Sequence, residues 1–491
     1  MSKQPFNVKD VVGKDLLFVG GDLSGIQRFL YNITSRKAAV SLKGRSQYLV
    51  NLTKELEDDL LRKPPISACS VQHEVYASGG KFYLIVDDSP NIRSAIEAFR
   101  EEAERKVLDD HQGQLAVNIA YLPFSFNQDD TVNIGSIASR PLGDLWKEIN
   151  ELFAKQKSSK FRSVIEKNYS NFFGVQEVDP DSKICAITGI ESSLCVKLDK
   201  DSDGDAIWVL PSVKEQVELG KRLRAKENFK TLEEYADGTY LGILRMDVDG
   251  LGKVFIEGFP SMAAYEEFSN RLDIFFQVKL KEIQRRKEYA DYLNIVYAGG
   301  DDIFAVGRWD RLIDFANEVR QRFAEHVNRK GISISGGIAI VDDKFPIAKA
   351  AELAGEAESA AKSFNNGAKN AFNMFGATVS WQDEFGFVES YKDKLVELCE
   401  NANMPRSIMH RLMVFADMKQ RGDLSYVWNT TYFLARFRHE HEKNELVVDF
   451  CKRLESDLFK DRSRMDRNYE LIALAARWAE LILRKNDIEN Q

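Results

Sequence analysis

The fold is decided by the stretch Ile243-Leu-Arg-Met-Asp-Val-Asp-Gly-Leu-Gly252 and the later stretch Ile295-Val-Tyr-Ala-Gly-Gly-Asp-Asp-Ile-Phe-Ala-Val306. The first predicts a buried strand over 239–247 that ends at an Asp-x-Asp-Gly sequence. The second predicts a hairpin around a glycine turn. Further patterns predict the order β-α-β-β-α-β of a ferredoxin-like unit, with helices at 264–287, 309–328 and 346–364 and a strand at 332–341.

The same order of elements is predicted near the N-terminus, in Phe18-Val-Gly-Gly-Asp-Leu-Ser-Gly25 and Val75-Tyr-Ala-Ser-Gly-Gly-Lys-Phe82. The offset from Asp22 to Asp247 is 225 residues and that from Gly79 to Gly299 is 220 residues. Two copies of one unit explain this agreement. The surrounding patterns predict strands at 16–21 and 115–123, helices at 43–63 and 91–109, and a hairpin at 74–87.

Length and composition bound the remaining organisation. A chain of 491 residues is too long for one core. We expect an α+β protein with a first copy at 1–125, a small intervening domain at 126–235, a second copy at 236–380 and a helical bundle at 381–491. The net charge of −8 excludes a basic protein that coats nucleic acid. No apolar run is long enough for a membrane span and no secretory signal is visible, so we expect a cytoplasmic protein with reduced cysteines.

The acidic residues of the second copy predict a metal site. Asp247 ends a central strand, and Asp301 and Asp302 lie at the tip of a neighbouring hairpin. Their carboxylates are expected to converge, with Val248 as an adjoining metal-binding position. Such hard oxygen ligands suit Mg²⁺ or Mn²⁺ and leave sites open for phosphate oxygens. Without the surrounding elements, Gly-Gly-Asp-Asp would usually be only a polar turn.

The first copy is an internal control for this interpretation. Aligned on the Gly-Gly pairs, it has Ser24, Lys81 and Phe82 where the second copy has Asp249, Asp301 and Asp302. A single Asp22 cannot build a two-metal site. We therefore expect the first copy to be catalytically silent, and either to bind a second nucleotide or to hold the two copies together.

These paired motifs resemble the large polymerase-like subunit of type III CRISPR effector complexes, over residues 15–380. The resemblance implies two palm domains of the polymerase and nucleotidyl-cyclase type, a degenerate zinc-ribbon-like domain between them and a C-terminal helical bundle. It also implies that ATP is joined into cyclic oligoadenylates, with release of pyrophosphate, when the complex binds target RNA. The implied partners are the other subunits of the complex and, through them, guide RNA and target RNA.

The resemblance also implies roles for single residues. Asp301 and Asp302 would be the metal-binding pair, Asp247 the third ligand and Asp249 a weaker candidate. The nucleotide would lie against the glycine turns, two serines and a helix that carries two lysines: Ser24, Gly25, Gly79, Gly80, Gly299, Gly300, Ser335, Lys349 and Lys362. For both lysines, a solvated helix face is the competing interpretation.

Two departures from the family pattern change what is expected. About twenty residues precede the first copy, and none of the six histidines begins a His-Asp pair. We therefore expect no HD-type nuclease activity from this chain. Cys185 and Cys195 are too few and too far apart for a structural zinc site, so zinc is not expected.

Several alternatives stay open at this stage. The chain could be an assembly scaffold without turnover, a synthase of cyclic dinucleotides, or an enzyme that joins AMP to another acceptor. The basic segments 36–45 and 221–226 could contact a phosphate backbone or a subunit, or they could be solvated.

Overall fold

The first copy is built around a six-stranded sheet. The computed structural model describes residues 6–167, 169–173, 179–200, 205–236, 238, 240–460 and 465–489. The sheet has the strand order β2-β3-β1-β4-β5-β6, with β1 paired antiparallel to both β3 and β4. Its elements are β1 (Leu16–Ser24), α1 (Ile26–Tyr31), α2 (Ala38–Arg62), β2 (Gln72–Ser78), β3 (Lys81–Asp87), α3 (Pro90–His111), β4 (Ala116–Phe126), β5 (Val132–Ile134) and β6 (Ile137–Arg140).

Strands of the first sheet continue past the expected boundary at 125, because a short hairpin at 132–140 adds two edge strands. The segment that follows has two small hairpins and several helices: α4 (Asp144–Ser158), α5 (Arg162–Lys167), α6 (Tyr169–Phe172), β7 (Lys183–Ile184), β8 (Glu191–Ser192), β9 (Val196–Lys200), β10 (Ala206–Val209), α7 (Pro211–Glu227) and α8 (Leu232–Ala236). Helix α7 packs along α2. The thiol of Cys195 lies 3.2 Å from the carbonyl oxygen of Lys183, and Cys185 is buried.

The second copy repeats the sheet with the order β12-β13-β11-β14-β15-β16. The predicted helix at 264–287 is divided by a π-helical turn at Phe275–Lys279, where Phe275 and Phe276 are both buried. The elements are β11 (Leu241–Asp249), α9 (Leu251–Glu257), α10 (Met262–Ile274), α11 (Leu280–Gln284), β12 (Leu293–Gly299), β13 (Asp302–Arg308), α12 (Trp309–Val327), β14 (Ser333–Val341), α13 (Ile347–Gly367), β15 (Ala371–Met374) and β16 (Ala377–Ser380).

The C-terminal part of the chain is helical, as predicted. Its helices are α14 (Phe385–Asn401), α15 (Ser407–Gln420), α16 (Tyr426–Glu440), α17 (Glu445–Phe459) and α18 (Met465–Glu489). Their apolar faces join the core of the second copy, where Phe385 packs between Trp381 and Trp478. No helix in the described ranges has the length and apolarity that a bilayer crossing needs. Together with the two matching sheets, this arrangement confirms the predicted fold class.

Strand register corrects the alignment of the two copies. Asp22 lies opposite Lys81, and Asp247 lies opposite Asp302. Lys81 is therefore the counterpart of Asp302, not of Asp301, and the expectation that Phe82 replaces Asp302 is wrong. The reason is the turn: the first copy turns at Gly79-Gly80, whereas Gly299 still belongs to β12 and the second copy turns at Gly300-Asp301.

The two copies meet at these hairpin tips. A Cβ atom on Gly79 would lie only 2.9 Å from the Cα atom of Gly300. The N–H of Gly300 donates to the Ser78 hydroxyl at 3.3 Å. Contacts around the tips are reciprocal, since α2 of the first copy packs on β12 and α10 of the second copy packs on β2. The chain is thus a pseudo-dimer within one polypeptide.

This contact predicts that Gly79→Ala destabilises the protein more than Gly113→Ala. Both glycines have positive φ, at 62° and 78°, so alanine costs about 1–2 kcal/mol at either position. Only at Gly79 must neighbouring backbone also move, which adds roughly 1–3 kcal/mol, because no atom lies within 4 Å of a Cβ on Gly113. Midpoints of thermal unfolding measure the difference, and equal shifts would contradict a close contact of the tips.

Candidate active site

Three carboxylates meet where the neighbouring strands β11 and β13 of the second sheet end and begin. Asp247 is near the end of β11, Asp302 begins β13 directly opposite it, and Glu358 projects from α13 across the same face. One oxygen from each of the three lies within 4.8 Å of the others, which is close enough for a shared cation. The structure therefore brings together two of the three predicted catalytic aspartates and adds a glutamate.

Sequence reasoning missed Glu358. This side chain is buried, and it precedes Lys362 by one helical turn. Residues four apart share a helix face. Because Lys362 was already a candidate for the nucleotide site, its spacing of four residues from Glu358 could have identified the glutamate from the sequence.

The positive charges near the three carboxylates are fewer than the negative charges. Lys362 pairs with Asp247 and, at 2.8 Å, with Glu358. Arg245 lies 3.0 Å from Glu358. With the nearby Asp301 and Lys81, whose charge acts on Asp301, four carboxylates face three cations. The charges of Asp247 and Glu358 raise the pKa of Lys362 despite its burial.

Burial and the shortage of positive charge raise the pKa values of the aspartates. Burial, together with the hydrogen bond and charge of Asp302, raises the pKa of Asp247 to about 8. Burial and the charges of Asp301 and Glu358 also raise the pKa of Asp302. A cluster that holds protons in place of missing positive charge suits a divalent cation, which would displace those protons.

Asp301 lies beside the cluster but outside the set of three. Its carbonyl oxygen accepts a hydrogen bond from the N–H of Val248 at 3.1 Å, which fixes the turn against β11. Burial and the charge of Asp247 raise the pKa of Asp301. The predicted metal-binding positions Val248 and Asp301 are therefore hydrogen-bonded to each other through their backbones, next to the cluster.

Asp249 and Ser335 are placed differently from the other predicted residues. One oxygen of the Asp249 carboxylate accepts from the hydroxyls of Ser333 and Ser335, at 2.7 and 2.8 Å, and from the N–H of Asn370 at 3.1 Å. Ser335 is fully buried. Both side chains thus fasten β11, β14 and the start of β15 inside the fold.

In the first copy, lysines occupy the place of the missing carboxylates. Asp22 is buried, with Lys157 of α4 at 2.7 Å and Lys81 at 4.0 Å. Lys157 corresponds to Lys362, because each projects from the helix that covers its sheet onto the first-strand aspartate. Ser24 accepts a hydrogen bond from Asn118 at 2.7 Å. This copy balances its aspartate with ammonium groups.

The glycine turns border a cavity of about 210 Å³. Gly79, Gly80 and Gly299 line it, between α2 and the π-helical turn, and Gly299 is the register partner of Asp302. Gly300 lies at the contact between the tips. Gly25 has a packing role, since a Cβ there would lie 2.4 Å from the Gln114 carbonyl oxygen.

Lys349 is remote from the cluster. It is exposed and pairs with Glu352 at 2.7 Å. Thirteen residues of helix separate it from Lys362, which is about 20 Å along the axis. The two predicted lysines therefore do not act together.

Comparisons with known proteins agree with this architecture. The family model of the second palm domain of Cas10/Cmr2 matches residues 240–373, and that of Csm1 subunit domain B matches residues 15–176. The resemblance to the large subunit of type III CRISPR complexes is thereby confirmed.

Curated relatives carry the description "CRISPR system single-strand-specific deoxyribonuclease Cas10/Csm1 (subtype III-A)". The one from Mycobacterium tuberculosis is 25% identical, over 90% of this chain and 64% of the relative. The one from Streptococcus thermophilus is 24% identical, over 87% and 63%. The chain thus spans slightly less than two thirds of the length of these relatives.

Solved structures share the fold. A Csm1–Csm4 cassette in complex with pppApA has a TM-score of 0.68 at 17% identity, covering 96% of this chain and 70% of the other. The same cassette in complex with cA4 has a TM-score of 0.66 at 18% identity, covering 95% and 69%.

The raised pKa of Asp247 predicts how the metal-free protein responds to pH. An unfolded aspartate ionises near pH 4, whereas native Asp247 holds its proton to about pH 8. Between these values native Asp247 binds a proton that the unfolded residue has lost, so its contribution to stability in EDTA falls as pH rises, by up to about 1.4 kcal/mol per pH unit. Asp301 and Asp302, whose pKa values are also raised, add to the fall. Asp247→Asn should flatten this fall and abolish stabilisation by Mn²⁺, as measured by thermal unfolding with and without metal. An unchanged pH slope in the variant would refute the assignment.

The position of Glu358 predicts that Glu358→Gln weakens Mn²⁺ binding roughly tenfold. The exposed Glu356, on the same helix, provides the matched control Glu356→Gln. Calorimetric titration of the folded proteins with Mn²⁺ measures the effect. Unchanged affinity in the Glu358 variant would show that this residue serves only to neutralise Arg245 and Lys362.

Proposed function

We propose that this chain is the nucleotidyltransferase subunit of a type III CRISPR complex and joins ATP into cyclic oligoadenylate when the complex binds target RNA. The observation that carries the proposal is the meeting of Asp247, Asp302 and Glu358 beside the junction of the two copies. The family resemblance supports the reaction, and the carboxylate geometry supports this cluster as its site.

Asp247 and Asp302, with Glu358, are the residues that would hold Mg²⁺ or Mn²⁺. Their oxygens are hard ligands, and the local excess of negative charge fits a divalent ion. When bound, such an ion supplies neutralisation of the phosphates and activation of the attacking ribose hydroxyl. Lys362 keeps Asp247 and Glu358 oriented, because its ammonium group bridges their carboxylates.

The nucleobase fits the neighbouring cavity. At about 210 Å³ the cavity is smaller than sites for drug-sized ligands, which begin at about 300 Å³, so it suits a base and not a whole nucleotide. Gly299 joins the two places, since it lines the cavity and pairs in register with Asp302. The glycine turns leave room for a triphosphate to pass close to the backbone. Related Csm1–Csm4 cassettes have been solved with ATP and with AMPPNP, which supports ATP as the substrate.

The first copy contributes a wall of the cavity and no metal ligands. Its Asp22 is balanced by Lys157 and Lys81, so it offers no free pair of carboxylates. Its glycine turn forms one wall of the cavity. We infer that one centre per chain performs the transfer, while the other copy shapes the pocket.

We further propose that the chain works within a complex. The similar solved chains are paired with Csm4, and one is described as a subcomplex of the type III-A CRISPR–Csm interference complex. An equivalent neighbouring subunit is the expected partner here, and guide and target RNA would be held through it.

The proposal predicts that Asp302→Asn lowers product formation by at least a hundredfold, because positioned charge carries most of the rate in such reactions. Asp22→Asn is the matched control, since Asp22 occupies the position of Asp247 in the silent copy, and it should stay within a few-fold of the parent. The assay is the assembled complex with target RNA, labelled ATP and Mg²⁺ or Mn²⁺, with products identified by mass spectrometry.

Other outcomes of this assay separate the alternatives. Turnover of GTP into a cyclic dinucleotide would replace the proposal with a different synthase. A parent complex that forms no product with either metal would favour a scaffold. Equal losses in both variants would contradict the assignment of one active copy.

A further inference from the structure

A second, larger cavity carries positive charge that the candidate active site does not use. This basic cavity has a volume of about 610 Å³ and lies between α2, the end of α7, α11 and β12. Four cationic side chains from three helical segments line it: Lys43, Lys226, Lys281 and Arg285. The cavity therefore gathers charge from distant parts of a chain that is acidic overall.

Most of this positive charge is not neutralised by the protein. Glu227 is the acidic residue of the lining, and it pairs with Lys43 at 3.1 Å. Within the described residues, Lys226, Lys281 and Arg285 make no ion pair. Exposed cations elsewhere in the chain are commonly paired, as Lys37 and Lys221 are with Asp199.

Lys43 is held at the floor of the basic cavity. Its ammonium group donates to the carbonyl oxygen of Ile295 at 2.8 Å, and its side chain is mostly buried. Burial lowers the pKa of Lys43 and the charge of Lys281 lowers it further, although Glu227 acts in the opposite direction. An anion in the cavity would relieve this repulsion.

The basic cavity adjoins the smaller cavity beside the glycine turns. Val50 and Gln277 line both. The two cavities therefore lie side by side between α2 and the π-helical turn. The several separate cations of the basic cavity suit a series of phosphates better than a single one.

The structure also shows what the side chains of the basic segments 36–45 and 221–226 contact. Arg45 is buried and donates to Gln216 at 3.1 Å, and Lys37 and Lys221 are occupied by Asp199. Lys43 of the first segment and Lys226 of the second line the basic cavity together.

We propose that the basic cavity binds the phosphodiester backbone of a single-stranded oligonucleotide next to the candidate active site. Two sources have this chemistry: the growing oligoadenylate and an RNA strand of the complex. Both sources rest on the proposed function, which supplies the oligoadenylate and the complex that holds the RNA. The binding itself goes beyond it.

Binding to the purified full chain in EDTA tests the proposal without turnover. The probes are fluorescein-labelled linear oligoadenylate with a 5′-triphosphate and oligouridylate RNA of equal length. The test variant combines Lys281→Ser with Arg285→Ser, two exposed positions at the rim. The matched control combines Lys279→Ser with Lys287→Ser, which removes the same charge from the same stretch outside the cavity lining.

We expect the test variant to bind about tenfold more weakly at low salt and the control to bind like the parent. Each phosphate contact contributes about 0.7 to the slope of log affinity against log salt for single strands, so losing two lowers that slope by about 1.4. A purely structural role of the two residues would not change the slope in this way. Preference for oligoadenylate assigns the growing product, and equal binding of both probes assigns RNA of the complex.

Three results would overturn the proposal: unchanged affinity and slope in the test variant, an equal loss in the control, or no binding of either probe by the parent. Failure of the proposed function is distinguishable from these. Asp302→Asn removes turnover but leaves the basic cavity intact, so that variant should bind both probes like the parent in EDTA.

Discussion

The antiparallel register of β11 against β13 is the constraint on which the candidate site depends. It places Asp247 directly opposite Asp302. The opposite face of β11 carries Leu244, Met246 and Val248, all buried in the core. A slip of one residue would send Asp247 into that core and the apolar residues toward the cluster. The apolar core therefore holds the aspartates together even though the aspartates repel each other.

The contact between the hairpin tips is the second constraint. Side chains at Gly79 or Gly300 would separate the tips and open the cavity that both copies border. Because α2 and α10 each pack on the other copy, the two sheets support one another's edges. The candidate active site is thus a property of the pair, although among the described residues only the second copy carries such a carboxylate cluster.

Local patterns predicted most of the fold. The helix predicted at 309–328 is α12 at Trp309–Val327, and the strand predicted at 332–341 is β14 at Ser333–Val341. Periodicity and turn residues determine such elements, and both are readable in the sequence. The turn alignment failed because glycine can end a strand as well as form a turn, and only pairing distinguishes Gly299 from Gly79.

Side chains that depend on how elements pack were harder to predict. Glu358 reaches the cluster because of the rotation of α13 about its axis, which the sequence of the helix does not specify. The family resemblance placed Ser335 near the nucleotide, but a buried network with Asp249 holds it. Lys349 was grouped with Lys362 because the resemblance implies a helix with lysines beside the nucleotide, and the length of α13 separates the two residues.

The two copies thus share one backbone arrangement but differ in the charge balance around the aspartate of the first strand. In the first copy, Asp22 is matched by lysines and needs nothing further. In the second copy, carboxylates exceed cations, and Asp247 keeps a proton well above the usual pH for an aspartate. Residues that violate local balance in this way are characteristic of functional sites, because the fold must supply stability elsewhere to retain them. An apolar core to which both copies contribute supplies that stability, so the fold retains an excess of carboxylates in the second copy.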